Sequence, residues 1–157
     1  MLEEALDPYL TVIQLAGVEA EGELVAYLES LRPKPKPPTK EELMRLWHQG
    51  YAQTVAPSKQ ALGRFLRARQ DGDRVALATA CKDMSRLSLE LLADDNTVFR
   101  GPEPALTRPL RRAFESIKRV AVACTTGDFR RADSALGEMQ RHLSNAAQML
   151  RPYGLQP

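Results

Sequence analysis

The strongest constraint on the fold is a pair of helical patterns over residues 111–150, joined by the short turn Thr125-Thr126-Gly127-Asp128. On each side of the turn, apolar residues recur every three or four positions, which places them on one side of an α-helix. Gly127 can adopt the left-handed conformation that ends a helix, and Asp128 can accept the free N–H groups that begin the next one. An antiparallel helical hairpin is therefore predicted here. Its apolar positions are Leu110, Phe114, Ile117, Ala121, Cys124, Phe129, Ala132, Leu136, Met139, Leu143, Ala146 and Leu150.

A second hairpin is predicted over residues 58–92, because Asp71-Gly72-Asp73 supplies the same turn chemistry 55 residues earlier in the chain. Together with residues 108–150 it would give a pseudo-symmetric four-helix core. The similarity of the two hairpins is explained either by duplication of one hairpin or by independent convergence on the same turn chemistry. Val75, Leu89 and Leu92 widen the apolar stripe of the helix after the turn, so we expect that helix to be the most buried.

The segment before this hairpin begins with a capping box, in which Thr39 caps a helix and Glu42 reaches back to it. The apolar stripe that follows keeps its phase across Pro57. Both one long helix kinked near residue 57 and two helices stacked end to end fit that pattern. The stripe consists of Leu43, Leu46, Trp47, Gly50, Tyr51 and Thr54 before Pro57, and of Ala61, Leu62, Phe65 and Leu66 after it.

The N-terminal part is predicted to be helical up to a spacer. Residues 33–38 read Pro-Lys-Pro-Lys-Pro-Pro, which favours extended polyproline II. A rigid connector is favoured over a docking segment for an aromatic groove. Residues 20–32 hold a helical phase, and Asp7-Pro8 is typical of a helix start that predicts a further helix over residues 8–17. Gly17 and Gly22 allow either one helix with a bend or two shorter helices that share one face.

These elements predict an all-α fold, a single-domain antiparallel helical bundle of five or six helices built on two helical hairpins. A chain of 157 residues with 43% hydrophobic content is large enough to bury such a core. Within the one domain, 1–157, we distinguish an acidic helical segment (1–32), the proline-rich spacer (33–38) and the bundle core (39–157).

Charge is distributed unevenly along the chain. Residues 1–32 contain seven acidic side chains against Arg32 alone, a net charge of −6. Since the whole chain sums to +2, residues 33–157 carry +8. The acidic segment could fold against the basic body, face another copy, or compete with an anionic ligand; solvated helix faces that merely differ in charge explain the pattern equally well.

Cys81 and Cys124 are the two cysteines, and both lie in apolar stripes. The chain starts Met-Leu-Glu-Glu, whereas a secretory signal starts with basic residues, so a cytoplasmic protein is expected. Two buried free thiols are then favoured over a disulfide. No apolar run approaches the ~18 residues of a membrane span, so no membrane association is expected.

The sequence offers little for catalysis. His48 and His142 stand apart, without the Glu-x-x-His pairs of a di-iron bundle or the clustered spacing of a zinc site. A phosphate-binding glycine loop and a nucleophile elbow are both missing. We therefore expect no enzymatic activity, no metal and no cofactor.

Basic side chains are the better lead to function, because they fall on helix faces away from the apolar stripes. If the two hairpins run side by side, Arg69 and Arg74 would join those near the Gly127 turn at one end of the bundle. Such a patch could neutralise phosphates or meet an acidic partner. The candidate anion or partner contacts are Arg108, Arg111, Arg112, Arg119, Arg130 and Arg131.

Trp47, His48 and Tyr51 could line a small aromatic pocket on one helix. A core position for Trp47 and Tyr51, with their polar atoms hydrogen-bonded, is the favoured interpretation. A small-molecule ligand is accordingly not expected.

Two hypotheses of function follow. The first is a non-enzymatic helical-bundle protein that binds another protein, or itself as a homodimer, through helix faces. The alternative is a nucleic-acid-associated protein that uses the arginine-rich helix faces.

Overall fold

The computed structural model describes residues 18–157, with side chains from residue 22 onward. Over these residues the chain forms five α-helices, one 3-10 turn and no strand, which confirms the predicted all-α bundle. The further helix predicted over residues 8–17 lies outside the described residues. The elements are α1 (Val18–Leu31), α2 (Lys40–Asp71), α3 (Arg74–Leu91), α4 (Pro104–Thr125), α5 (Phe129–Leu150) and the 3-10 turn Arg151–Tyr153.

The chain divides into two compact units, Met1–Pro37 and Pro38–Pro157. The first contains α1, on which Tyr27 and Leu31 are exposed. The second contains α2 to α5. The boundary falls in the proline-rich spacer, where residues 33–39 form no helix, as predicted. No helix in the described part is both long enough and apolar enough to cross a membrane.

Both predicted hairpin turns are confirmed. Gly72 and Gly127 adopt left-handed conformations with φ of 68° and 75°. The Asp73 carboxylate accepts the Ala76 N–H at 3.0 Å, and the Asp128 carboxylate accepts the Arg131 N–H at 3.0 Å. Each aspartate thus satisfies a free donor in the first turn of its helix.

Helix α2 is one continuous helix that contains Pro57, and its predicted capping box is present. Part of the predicted stripe is wrong, however, because Leu43 and Leu46 are exposed while Met44 is buried. The stripe is confirmed at Tyr51, Ala61 and Phe65, which are buried. A single helical phase over the whole length of α2 decides which face packs, and that phase runs through Met44 and Tyr51. The buried face is Met44, Tyr51, Val55, Ser58, Ala61, Phe65 and Ala68.

Helix α4 occupies the centre of the bundle. It packs against both α3 and α5, and its Phe114 ring lies 6.4 Å from the Tyr51 ring of α2. Eleven residues of α4 are buried, against five of α3. The expectation that α3 is the most buried helix is therefore wrong, and Val75 and Leu89 on α3 are 79% and 56% exposed.

Cys81 of α3 and Cys124 of α4 form a disulfide, with their Cα atoms 5.9 Å apart. This corrects the expectation of two free thiols. The antiparallel packing of α3 on α4 brings the two cysteines face to face, a proximity that their separate positions in the sequence do not indicate.

The connection between α3 and α4 is held to the bundle by two apolar residues, Val98 and Phe99. Phe99 is buried and its ring lies 5.6 Å from that of Phe114. The Val98 carbonyl accepts a hydrogen bond from the Trp47 indole at 3.0 Å. The loop is thereby fixed against the N-terminal half of α2.

Candidate functional site

A groove of about 980 Å³ lies between α4 and α5 on the surface of the bundle. Both helices present polar side chains along it, because their apolar stripes face the core and their opposite edges remain in solvent. Of the predicted candidates, Arg112, Arg119 and Arg131 line this groove. We refer to it as the α4–α5 groove.

The ion pair between Arg119 and Glu138 fixes how the two helices align across the groove. Because α4 and α5 are antiparallel, Arg131 lies at the turn end, near Thr126, and Arg112 lies at the far end. The 14 residue steps from Arg112 to Thr126 correspond to about 21 Å along the axis of α4. The groove is therefore about as long as four helical turns.

The floor of the groove near the turn end is apolar. Ala123 of α4 and Ala135 of α5 are buried beneath it. Val122 stands at its edge and is 51% exposed, although it is apolar and belongs to the most buried helix. An occupant of the groove could cover this side chain.

Three cations line the groove without an ion-pair partner in the described part of the chain: Arg112, Lys118 and Arg131. We call them the groove cations. The carboxylates in the groove are already engaged, since Glu138 pairs with Arg119 and Glu115 pairs with Arg111 at 3.2 Å. The groove consequently carries a surplus of positive charge.

Arg119 is held in place by a second contact. Its guanidinium donates to the Ser116 hydroxyl at 2.9 Å, and that buried hydroxyl in turn donates to the Arg112 carbonyl at 3.0 Å. The Arg119–Glu138 ion pair therefore links α4 to α5 in the middle of the groove, and Arg119 is not an unpaired charge.

The other predicted arginines lie elsewhere. Arg108 and Arg111 line a separate depression of about 330 Å³, together with Arg100 and Asp94. Arg130 is exposed and lines neither site. The six candidates therefore do not form one surface.

Arg69 is occupied by a structural contact. Its guanidinium makes a two-point ion pair with Asp133 of α5 and lies 5.3 Å from the centre of the Phe129 ring. Hydrogen bonding to Arg69 lowers the pKa of Asp133 below its ordinary value. Arg74 lies in a different depression beside the disulfide. Arg69 and Arg74 thus lie at the end of the bundle that carries the Gly127 turn, as expected, but neither lines the α4–α5 groove with Arg131.

The aromatic candidates are brought together and packed. The Trp47 and Tyr51 rings stack with centroids 5.1 Å apart, and Tyr51 is 1% exposed. His48 lies beside them, and its Nε2 makes a hydrogen bond with the Gln156 carbonyl. The favoured core interpretation therefore holds for Tyr51, except that its hydroxyl finds no partner among the described residues. Burial raises the pKa of Tyr51 above its ordinary value.

Sequence reasoning missed Val122, Glu138 and His142 as parts of the groove. Val122 lies three residues after Arg119, on the same helical edge, so its position was a usable signal. The contributions of Glu138 and His142 depend on how α5 lies against α4, which the sequence pattern does not specify.

Among the described residues, no group of three His, Cys, Asp or Glu side chains is placed to hold a metal ion. Compared with known proteins, the chain matches no family model, no curated protein and no solved structure at significant similarity. The geometry of the α4–α5 groove is therefore the basis for a functional argument.

Proposed function

We propose that this chain is a non-enzymatic interaction module that binds an acidic segment of a partner protein in the α4–α5 groove. The observation that carries the proposal is the set of groove cations around an apolar floor, with both neighbouring carboxylates already paired. Opposite charge on the partner would steer the encounter and fix its orientation, while Val122 supplies apolar area to bury.

The same observations favour a protein over a nucleic acid. Proteins that bind single strands stack bases on aromatic side chains, and the described residues that line the groove include no Phe, Tyr or Trp. A duplex would bring a dense row of phosphates against Glu115 and Glu138. An acidic protein segment, in contrast, can place neutral or apolar side chains opposite these two carboxylates.

The size of the groove predicts a transient complex. A segment that fills about 21 Å of a shallow groove buries less than ~1,200 Å² in total, the range of weak signalling and redox encounters. Each exposed ion pair adds less than about 1 kcal/mol, and salt screens it. We expect dissociation constants in the micromolar range, on the order of −8 kcal/mol.

The test uses a fluorescent, alanine-based amphipathic peptide rich in Glu and Leu, titrated with the full chain at about 50 and about 200 mM salt. The double variant Arg112→Glu/Arg131→Glu removes two groove cations. We expect it to lose binding by at least tenfold, while the unchanged protein binds less tightly at the higher salt.

The matched control is Arg67→Glu/Arg74→Glu, which makes the same change in net charge at exposed positions outside the groove. It should keep most of the affinity. Equal losses in the two double variants would mean that net charge alone drives binding, and would refute the groove as the site.

Two further measurements exclude the other occupants. Tighter binding of a generic DNA duplex or single strand than of the acidic peptide would overturn the proposal in favour of a nucleic acid. Light scattering that shows a dimer, dissociated by Arg112→Glu/Arg131→Glu, would reassign the groove to a second copy of the chain.

A further inference from the structure

We infer that the segment bound in the α4–α5 groove is an α-helix of about four turns. Starting from the end of the groove near the Gly127 turn, its contact face carries an acidic side chain, an apolar one and then two acidic ones. This inference rests on the proposed function, and it specifies the conformation and the residue order of the partner. Both come from the order of side chains along the groove.

The walls of the groove favour a helical partner over an extended one. An extended peptide gains affinity from main-chain hydrogen bonds to a sheet edge, or from aromatic side chains that grip polyproline II. The groove walls are α4 and α5, whose backbone N–H and C=O groups are bonded within each helix. A partner must therefore satisfy its own backbone, which a helix does.

The groove presents four levels that such a helix would meet. Arg131 lies at the turn end, opposite Thr126, and Val122 follows one turn along α4. Lys118 lies one further turn along α4, beside the Arg119–Glu138 ion pair. Arg112 closes the far end. From the turn end to the far end, the four levels therefore present a cation, an apolar side chain and then two more cations.

Between Lys118 and Arg112 lies a level at which an acidic side chain of the partner would be unfavourable. It is formed by Glu115 of α4 and His142 of α5. Although Glu115 pairs with Arg111, its carboxylate would still lie against any acidic group placed opposite it. The partner should carry a neutral side chain at this level, and that requirement adds selectivity.

The spacing of the levels translates into positions on the partner. Reading from the turn end, they correspond to about i, i+4, i+8 and i+14 of a helix with the same rise per residue. At about 100° per residue these positions fall within roughly 120° of arc, so one helix face can carry them all. The disfavoured level corresponds to about i+11.

The experiment compares three alanine-based peptides of about 18 residues with identical charge. The first carries Glu at i, i+8 and i+14 with Leu at i+4, and is also made with its sequence reversed, because the groove does not fix the direction of the partner chain. The second moves the last Glu from i+14 to i+11, opposite Glu115. The third is the first with two interior Ala replaced by Pro, which prevents the helix.

Fluorescence anisotropy with the full chain gives the affinities. We expect the first peptide, in one of its two directions, to bind at least tenfold more tightly than the second and the third. Val122→Ala should weaken binding of the first peptide, because it removes the apolar contact at the second level.

The outcomes separate this inference from the function on which it rests. If the second or third peptide binds as tightly as the first, and Arg112→Glu/Arg131→Glu still abolishes binding, the helical order is refuted and the acidic groove stands. If no peptide binds even at low salt, both proposals fail.

Discussion

Gly101 lies where the loop between α3 and α4 passes closest to Trp47. A Cβ atom at this position would come within 2.9 Å of the Trp47 ring and 2.8 Å of the Thr107 methyl group. Neither neighbour can move freely, because the Trp47 indole is hydrogen-bonded to Val98 and Thr107 is buried. At Gly101 the loop can therefore lie against the ring only because a side chain is absent.

We accordingly expect Gly101→Ala to lower the free energy of unfolding by about 1–3 kcal/mol, the usual cost of overpacking. Denaturant unfolding gives the value. Gly63→Ala in α2 is the matched control, since nothing lies within 4 Å of its added methyl group; this change should leave stability unchanged or raise it by up to about 1 kcal/mol. Similar effects of the two substitutions would contradict the close approach.

Tyr51 gives a second prediction at the scale of the residue. Its hydroxyl is buried without a partner among the described residues, so Tyr51→Phe should leave stability unchanged or raise it by up to about 1 kcal/mol. The larger effect is on pH dependence. Burial raises the folded-state pKa above its ordinary value of 10.0, so the unfolded chain loses this proton first and stability falls as pH rises above 10.

Tyr51→Phe should therefore lose stability less steeply than the unchanged protein between about pH 10 and 11. Chemical unfolding at several pH values measures the difference in slope. Parallel curves for the two proteins would show that the phenol is not buried in the folded state.

At the scale of the element, the disulfide between Cys81 and Cys124 links α3 to α4 across a sequence separation of 43 residues. A crosslink over a loop of this length restricts the unfolded chain and stabilises the fold by roughly 3–5 kcal/mol. It also attaches the last turn of α4, where the α4–α5 groove begins, to a neighbouring helix.

Reduction of the protein should lower its unfolding midpoint in denaturant by an amount that corresponds to most of this energy. The control is Cys81→Ser/Cys124→Ser, which should have the stability of the reduced protein and should not respond to the reductant. A midpoint that is the same with and without reductant in the unchanged protein would contradict a stabilising disulfide.

The elements differ in how far the sequence predicts them. The two turns are local, because Gly127 and Asp128 set backbone conformation and capping within a few residues. The buried face of α2 is not local. Leu43, Leu46 and Met44 are all apolar, and only the packing of α2 over its whole length selects Met44 for burial. The disulfide is missed for the same reason, since helical periodicity does not tell which helix is a neighbour.

For the groove, the sequence identifies the charges and the structure identifies their grouping. Arg112, Arg119 and Arg131 are recognisable as exposed basic residues on predicted helices. Their separation from Arg108 and Arg130 depends on how α5 lies against α4. The engagement of Arg69 by Asp133 and Phe129 likewise requires the arrangement of distant segments.

On the scale of the whole molecule, the buried and exposed sides of α4 have different roles. Its buried side, centred on Phe114, joins the core and is linked to α3 through Cys124. The opposite edge contributes the groove cations Arg112 and Lys118, together with Val122. A rigid central helix thus presents charges at fixed spacing, which is what selective binding of a short segment requires.

The most direct test of this groove is an exchange of charge between the protein and the bound helix. In the swapped peptide, Lys replaces Glu at i and i+14, opposite Arg131 and Arg112. The unchanged protein should bind the original peptide at least tenfold more tightly than the swapped one. The variant Arg112→Glu/Arg131→Glu should show the reverse preference. If the variant binds the swapped peptide no more tightly than the unchanged protein does, the groove is not the binding site.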